Sequence, residues 1–535
     1  MPTTFRFLGA AALFMVLTLA GCSDDSDADP LVVSTDKGSL KGIEKTGTRQ
    51  FLGIPYAAKP MRWQAPAEAG PWAGLRDASS FGANCAQPDT PFGFVSASED
   101  CLFLNVYRPT GDGPFPVMVW IHGGALQYGE GSAYDPSQMV AEGVVVVTLN
   151  YRLGALGFLA HASLSAEGGG SSGNYGLMDQ QAALRWVQRN IAAFGGNAGN
   201  VTIAGESAGG HSVHAHLASP LSAGLFHKAI VQSGSYSVNT PTLQAQQALG
   251  QAFATAAGCS DQTAACLRNL SVSSILANQA ALNAGLAIST NIDNRVLLRS
   301  HRDAFSTGNF NRVPVMEGTN ANEFSVLTAF LFDYGPPPPN GLGEVTAGNY
   351  AFAQGGVLGL SETVQWLPKS VAQVDAKYPL STFARPAQAI DKIAGDSIFS
   401  CSALSTVRAL AAFTAVYQYE FNDPNAPGIL LPPTPSHPVY GAAHASELPY
   451  LFRMTQPHPP LPVPLVLSAA QQALSAKMIT LWASFARAGV PSAAGSTAWP
   501  AFSGTSQTLL SLEPGGLRTS SSFSVDHGCD FWLAP

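Results

Sequence analysis

The stretch VTIAGESAGGHSV, Val201 to Val213, sets a serine between two glycines directly after a β-branched run. Val201, Thr202 and Ile203 favour a strand, and from Gly210 on the pattern suits a helix. A strand that turns sharply into a helix presents its turn residue alone, at the tip. The spacing Gly205-x-Ser207-x-Gly209 is that of a nucleophile elbow. A serine hydroxyl is a weak nucleophile and needs a base, which an acid must orient. Acid and then base follow such an elbow in chain order. Eleven histidines compete for the base. His444, in YGAAHASELPYLF, lies downstream of the elbow in a loop after a proline-rich stretch. His437 and His458 sit in proline-rich loops and read as surface residues. His211, His214 and His216 lack the paired i, i+4 spacing of a helical metal site and are expected to pack or hydrogen-bond within the helix. Acyl transfer also needs fixed N–H donors for an oxyanion. WIHGGALQYG, Trp120 to Gly129, fits an HGGG-type loop with Ala125 in the third glycine's place, and alanine keeps its N–H. Ala208, just after the serine, offers another donor.

These residues need a rigid frame. Pro116 to Ile121 and Val144 to Leu149 read as buried strands. Leu177 to Phe194 reads as an amphipathic helix that stops at Gly195-Gly196. The strand before Ser207 follows. Ala229 to Gln232 and Val313 to Met316 are further strand candidates, and Glu317 then ends an apolar strand. This βαβ rhythm predicts a mostly parallel sheet covered on both faces. Proline clusters at Pro336 to Pro339, Pro432 to Pro438 and Pro457 to Pro464 mark loops. No composition break divides the chain after its first 30 residues.

The chain has 535 residues, of which 46% are hydrophobic and only 12% charged, enough to bury a large core. Its net charge is −8 and it has no basic run, which argues against nucleic acid as a partner. Residues 1–22 read as a targeting segment: Arg6 supplies a positive start, and Leu8 to Leu19 is an apolar run too short to span a membrane. The ending Leu19-Ala20-Gly21-Cys22 resembles the bacterial lipobox, whose cysteine is lipidated and becomes the mature N-terminus. An ordinary secretory peptide cut nearby is the alternative. Ser23 after the cysteine points to the outer membrane by the lipoprotein sorting rule. Ser23 to Pro30 reads as a flexible acidic tether. Without Cys22, six cysteines remain, an even set that suits disulfides in an exported protein and leaves 15 pairings open.

The chain resembles the type-B carboxylesterases, the family that includes cholinesterases and fungal lipases. The resemblance rests on FLGIPYA (Phe51 to Ala57), EDCLFLNVYRP (Glu99 to Pro109), NYRLGALGFL (Asn150 to Leu159), GNYGLMDQQAALRWVQRNIAAFGGN (Gly173 to Asn197) and GESAGG (Gly205 to Gly210). Near the end LWASFARAGVP (Leu481 to Pro491), WPAF (Trp499 to Phe502) and CDFW (Cys529 to Trp532) fit as well. It implies an α/β-hydrolase fold over residues 31–535 as one catalytic domain, with no cofactor. It implies Ser207 as nucleophile, His444 as base, and Gly124 and Ala125 in the oxyanion loop. The family's acid stretch G-x-x-x-D-E-G falls on Gly318 to Phe324, where Glu323 matches while Asn322 and Phe324 depart. Glu206 matches an acidic residue lining the family's gorge. The family also pairs the cysteines as Cys85–Cys101, Cys259–Cys266 and Cys401–Cys529.

The expected activity is hydrolysis of carboxylic esters through an acyl-enzyme. The same three residues would serve an amidase or lactonase. Family members that are non-catalytic binding modules lose the serine, which this chain keeps. The stretch between Cys85 and Cys101 lacks the tryptophan with which cholinesterases hold a quaternary ammonium, so choline esters are not expected to be preferred. The low charge of the chain favours neutral, partly apolar esters.

Overall fold

The computed structural model describes residues 1–4, 29–45, 47–89, 94–283, 288–334, 343–364, 368–454 and 465–534. Cys22 and residues 23–28 of the expected tether lie outside the described residues, as does His458. The apolar runs form an 11-stranded mixed sheet. Its middle is parallel: Val145–Leu149, Phe115–Ile121, Gly196–Glu206, Lys228–Gln232, Val315–Asn320, Val416–Phe421 and Leu509–Glu513 lie side by side in that order. Gly516–Ser520 closes one edge antiparallel, and Phe103–Pro109, Thr48–Pro55 and Ile43–Lys45 continue the other edge antiparallel.

Side chains alternate between two cores because successive residues of a strand face opposite ways. Along Phe115–Ile121, Val117, Val119 and Ile121 enter one core, whereas Met118 and Trp120 enter the other. Helices Tyr175–Asn190 and Ala208–Ala218 cover the first face through Leu184, Val187, Val213 and Leu217. Helix Ala469–Ala488 covers the second through Met478, Trp482 and Phe485. A strand buried on both faces reads as one apolar run, which is why Val145–Leu149 has no polar side chain except Thr148.

The expected elements are present with shifted ends. The helix expected over Leu177 to Phe194 is α-helical over Tyr175–Asn190, finishes as a 3-10 turn over Ile191–Phe194, and stops at Gly195 with φ +73°. The strand expected at Val313 to Met316 instead runs Val315–Asn320, so Glu317 lies inside it rather than at its end. Parallel pairing to both neighbours carries the strand past the apolar run. The three cysteine pairings implied by the resemblance are formed: Cys85–Cys101, Cys259–Cys266 and Cys401–Cys529. Among the described residues, no helix is long and apolar enough to cross a membrane.

Candidate active site

Four neighbouring parallel strands end at one place. Ile121 leads to the HGGA loop, Glu206 to Ser207, Gln232 to Ser233, and Asn320 to Glu323. Crevices at the carboxyl ends of parallel strands are where open α/β sheets bind ligands.

Ser207 stands at the junction of strand Gly196–Glu206 and helix Ala208–Ala218 with φ +55° and ψ −121°. A serine held at positive φ is strained, and strain of this kind persists only where the surroundings fix it. Here its N–H donates to Gln232 O at 2.8 Å, and its own carbonyl accepts from His211 N–H at 2.8 Å. The turn closes because Gly209 lies against the carbonyl of Ile121, where a Cβ would collide. Gly123 is equally constrained: a Cβ there would stand 2.8 Å from a Glu206 carboxylate oxygen and 3.2 Å from Ser207 Cβ. The HGGA loop is thereby held against the nucleophile candidate. Gly124 (φ +101°), Ala125 (φ +56°) and Leu126 (φ +60°) continue it in left-handed conformations. Among the described residues, no backbone carbonyl accepts from the N–H of Gly124 or Ala125. Ala208 begins a helix, so its N–H has no partner within that helix.

The expected acid and base meet. His444 Nδ1 lies 2.7 Å from Glu323 Oε2, and His444 N–H donates to Glu323 O at 3.2 Å. Glu323 Oε1 accepts from Ser233 Oγ at 2.6 Å and from Asn320 N–H at 2.8 Å, so the carboxylate is fixed from both sides. His444 Nε2 lies 3.3 Å from Oε1 of Glu206, the residue before Ser207. Among the described residues, the Ser207 hydroxyl makes no hydrogen bond to the imidazole. The group that faces Nε2 is the Glu206 carboxylate. The departures at Asn322 and Phe324 have physical accounts. Asn322 Oδ1 accepts from Ala442 N–H at 3.1 Å and its N–H donates to Ala442 O at 2.9 Å, which zips the acid loop to the base loop. Phe324 has φ −89°, a conformation that does not call for glycine, and its ring is fully buried beside Phe399. Phe399 in turn lies 5.1 Å from the His444 ring.

One carboxylate in the site was not foreseen. Glu447 is fully buried, with Oε1 accepting from Gln232 Nε2 at 2.8 Å and Oε2 from Asn320 Nδ2 at 2.7 Å. Trp482 Nε1 donates to Gln232 Oε1 at 3.0 Å. Gln232 therefore ties the elbow to Glu447, and Asn320 ties Glu447 to the acid. Its signal in the sequence was an acid three residues after His444, in HASELPY. Burial pushes the Glu206 carboxyl well above the ordinary carboxylate range. Burial alone would lower His444, but the carboxylates of Glu206, Glu323 and Glu447 around it raise it above an ordinary histidine.

The other histidines divide. His211, His214 and His216 are buried on helix Ala208–Ala218, as expected. His216 bonds Ser222 Oγ at 3.0 Å and Gln180 Oε1 at 2.8 Å, and His214 Nε2 lies 3.3 Å from Glu317 Oε2. His437 corrects the expectation of a surface residue. It is only 2% exposed, because Asp333 and Asp391 fold over it from distant parts of the chain. Among the described residues, no group of three or more His, Cys, Asp or Glu is placed to hold a metal ion.

An elbow serine, a carboxylate-bound imidazole and a loop whose Gly124 and Ala125 N–H groups meet no carbonyl among the described residues, all at one sheet end, define an α/β-hydrolase. The chain belongs to the carboxylesterase family, whose model matches residues 29–532. It is 34% identical to a pyrethroid hydrolase, Ces2e, of Rattus norvegicus over 95% of this chain and 91% of that one. It is 33% identical to the cocaine esterase of Homo sapiens, covering 98% of this chain and 95% of that one. It is 34% identical to a fumonisin B1 esterase of Sphingopyxis macrogoltabida, covering 92% and 89%. Among solved structures it superposes on a PNB esterase with a TM-score of 0.76 and 30% identity, over 94% of this chain and 100% of that one. The protein is thus a carboxylesterase, an enzyme that hydrolyses ester bonds.

Proposed function

We propose that this carboxylesterase works through Ser207, Glu323 and His444 on neutral, partly apolar esters. The observation that carries the reading is the 2.7 Å bond between Glu323 and His444 Nδ1, which leaves Nε2 turned toward the residue preceding Ser207. With Nδ1–H donating to Glu323, Nε2 is the basic nitrogen. It takes the Ser207 proton as Oγ attacks the ester carbonyl. The N–H groups of Gly124, Ala125 and Ala208 receive the oxyanion. The imidazolium then returns the proton to the leaving alcohol, and an acyl-enzyme forms. Water, deprotonated by the same nitrogen, releases the acid. Glu206 stabilises the charge on the imidazole from its other side.

The relatives are named for pyrethroids, cocaine and fumonisin B1, none of them a choline ester. A substrate with a quaternary ammonium is disfavoured, since the stretch between Cys85 and Cys101 holds no tryptophan. Treatment with an organophosphonate should place the adduct on Ser207 by mass spectrometry. An adduct elsewhere, or full activity in Ser207→Ala, overturns the reading. We propose further that residues 1–22 are a lipoprotein signal, that residues 23–30 tether the catalytic domain of residues 31–535, and that Cys22 carries the lipid. Several acyl chains, at about 0.8 kcal/mol per buried CH₂, hold a protein firmly at an outer membrane. Cys22→Ala should then abolish acyl labelling and release the protein from the membrane fraction.

A further inference from the structure

His437 stands seven residues before His444, in the same loop. Its Nδ1 lies 3.0 Å from Asp333 Oδ2 and its Nε2 lies 3.1 Å from Asp391 Oδ2. A neutral imidazole has one N–H and can donate to only one of them. A carboxylate at each nitrogen therefore selects the imidazolium, which donates twice. Asp333 ends the π-helix Ala329–Asp333, ten residues after Glu323, and Asp391 belongs to helix Pro386–Ala394. The Thr434 hydroxyl also donates to Asp333. The ring stacks on Tyr440 at 5.7 Å, and the Tyr440 hydroxyl donates to Pro432 O at 2.8 Å.

The three segments it joins are the chain leaving the acid, the chain entering the base, and a helix. Beside it lies a cavity of about 570 Å³ lined in part by Asn322 of the acid loop and Gly441 of the base loop.

We propose that His437, as a doubly bonded imidazolium, is a positioning residue that clamps the acid loop to the base loop, and that its deprotonation is an alkaline off-switch separate from the triad. This rests on the reading of Glu323 and His444 given above. The charged and titratable groups facing the ring are Asp333, Asp391, Tyr440 and Tyr334, with Arg385, Lys392 and Asp396 around the shared cavity. Burial opposes the charge on His437, but its hydrogen bonds to Asp333 and Asp391 override it and raise the group to about 9. A raised value means that the clamp is intact below the ordinary histidine range and is lost as pH rises through about 9.

The test follows ethyl butyrate hydrolysis by pH-stat from pH 6 to 10.5, with phosphonate labelling of Ser207 at pH 7.5 as a parallel readout. In the wild type, the rise in kcat as His444 loses its proton should turn over into an alkaline limb as pH passes about 9. Asp391→Asn removes one carboxylate and should move that limb down by about one pH unit. His437→Gln should abolish the limb and lower kcat at pH 7.5 about three- to tenfold, with KM within about twofold. Glu420→Gln is the control. It removes a carboxylate from His527, a second buried histidine held between Asp396 and Glu420 at 2.6 Å each, and should leave the limb in place. Circular dichroism shows whether each variant is folded, and Asp391→Asn decides alone where His437→Gln is not. A limb that is absent from the wild type, unmoved by Asp391→Asn, or displaced by Glu420→Gln overturns the clamp. Absence of label at Ser207 in the wild type overturns the triad instead, so the two failures are told apart.

Discussion

Two carboxylate–histidine pairs lie close together in this molecule. Glu323 meets His444 at 2.7 Å, and Glu317, six residues earlier, meets His214 at 3.3 Å. Both carboxylates and both rings are buried. Their surroundings differ. His444 has two more carboxylates near it, Glu206 and Glu447, and lies in a loop at the sheet end. His214 is packed on a helix between His301, at 6.2 Å, and Phe305, at 5.2 Å, and its Nδ1 has no hydrogen-bond partner among the described residues. The neighbouring His211 is pushed down to about 3 by burial and then by His214. His301 is also held well below the ordinary range, by burial and then by those two rings. A carboxylate at hydrogen-bond distance is thus not enough to make a working base. What separates the two rings is their setting: one lies in a loop at the sheet end, the other is packed within a buried helix.

The comparison can be broken at each pair. Glu323→Gln should lower kcat at least about 10²-fold, because an amide keeps the shape but loses the charge that stabilises the imidazolium. Steady-state kinetics on a neutral ester measures it. Glu206→Gln should cost less, and it should also move the pH profile. As the proposed base, His444 acts only when neutral, so kcat/KM should rise as pH passes the raised value of that group. With one carboxylate gone the value falls, and the acid limb should shift to lower pH. A limb that stays in place would mean that Glu206 does not act on His444. Glu317→Gln should change kcat by less than about tenfold once folding is checked by circular dichroism. If it proves the dead variant, the two pairs have been assigned in reverse. The smallest effect belongs to His301→Leu. Neither ring nitrogen of His301 has a partner among the described residues, so an apolar side chain of similar size should leave stability within about 1 kcal/mol in urea denaturation and leave kcat unchanged.

The elbow was legible because its rule is local: a β-branched strand, glycines where a Cβ would collide, and one reactive side chain at the turn. The central strands were legible as continuous apolar runs. Their ends were not, since pairing with neighbours carried Val315–Asn320 beyond its apolar residues. Glu323 was found through its family motif, not from composition. The support around it escaped notice, because Ser233, Asn320 and Gln232 are ordinary polar residues until the sheet brings their strand ends together. His437 was misread for the same reason. Its prolines are neighbours in sequence, but its environment is made by Asp333 and Asp391, about 100 and 46 residues away in the chain.

Gln87 gives the loop closed by Cys85–Cys101 a place in any redesign of substrate range. Its Oε1 accepts from Gly129 N–H at 2.8 Å and its Nε2 donates to Gly129 O at 3.1 Å, so the root of the loop is fastened to the end of the oxyanion segment. Gln87 also pairs through its backbone with Ser96. The bridge, this pairing and the two side-chain bonds make a fixed socket at the two ends of the loop. Replacement sequences grafted between Gln87 and Ser96 would leave the socket's own contacts to the oxyanion segment in place. Kinetics of such grafts on a panel of esters would measure how far that segment sets substrate range.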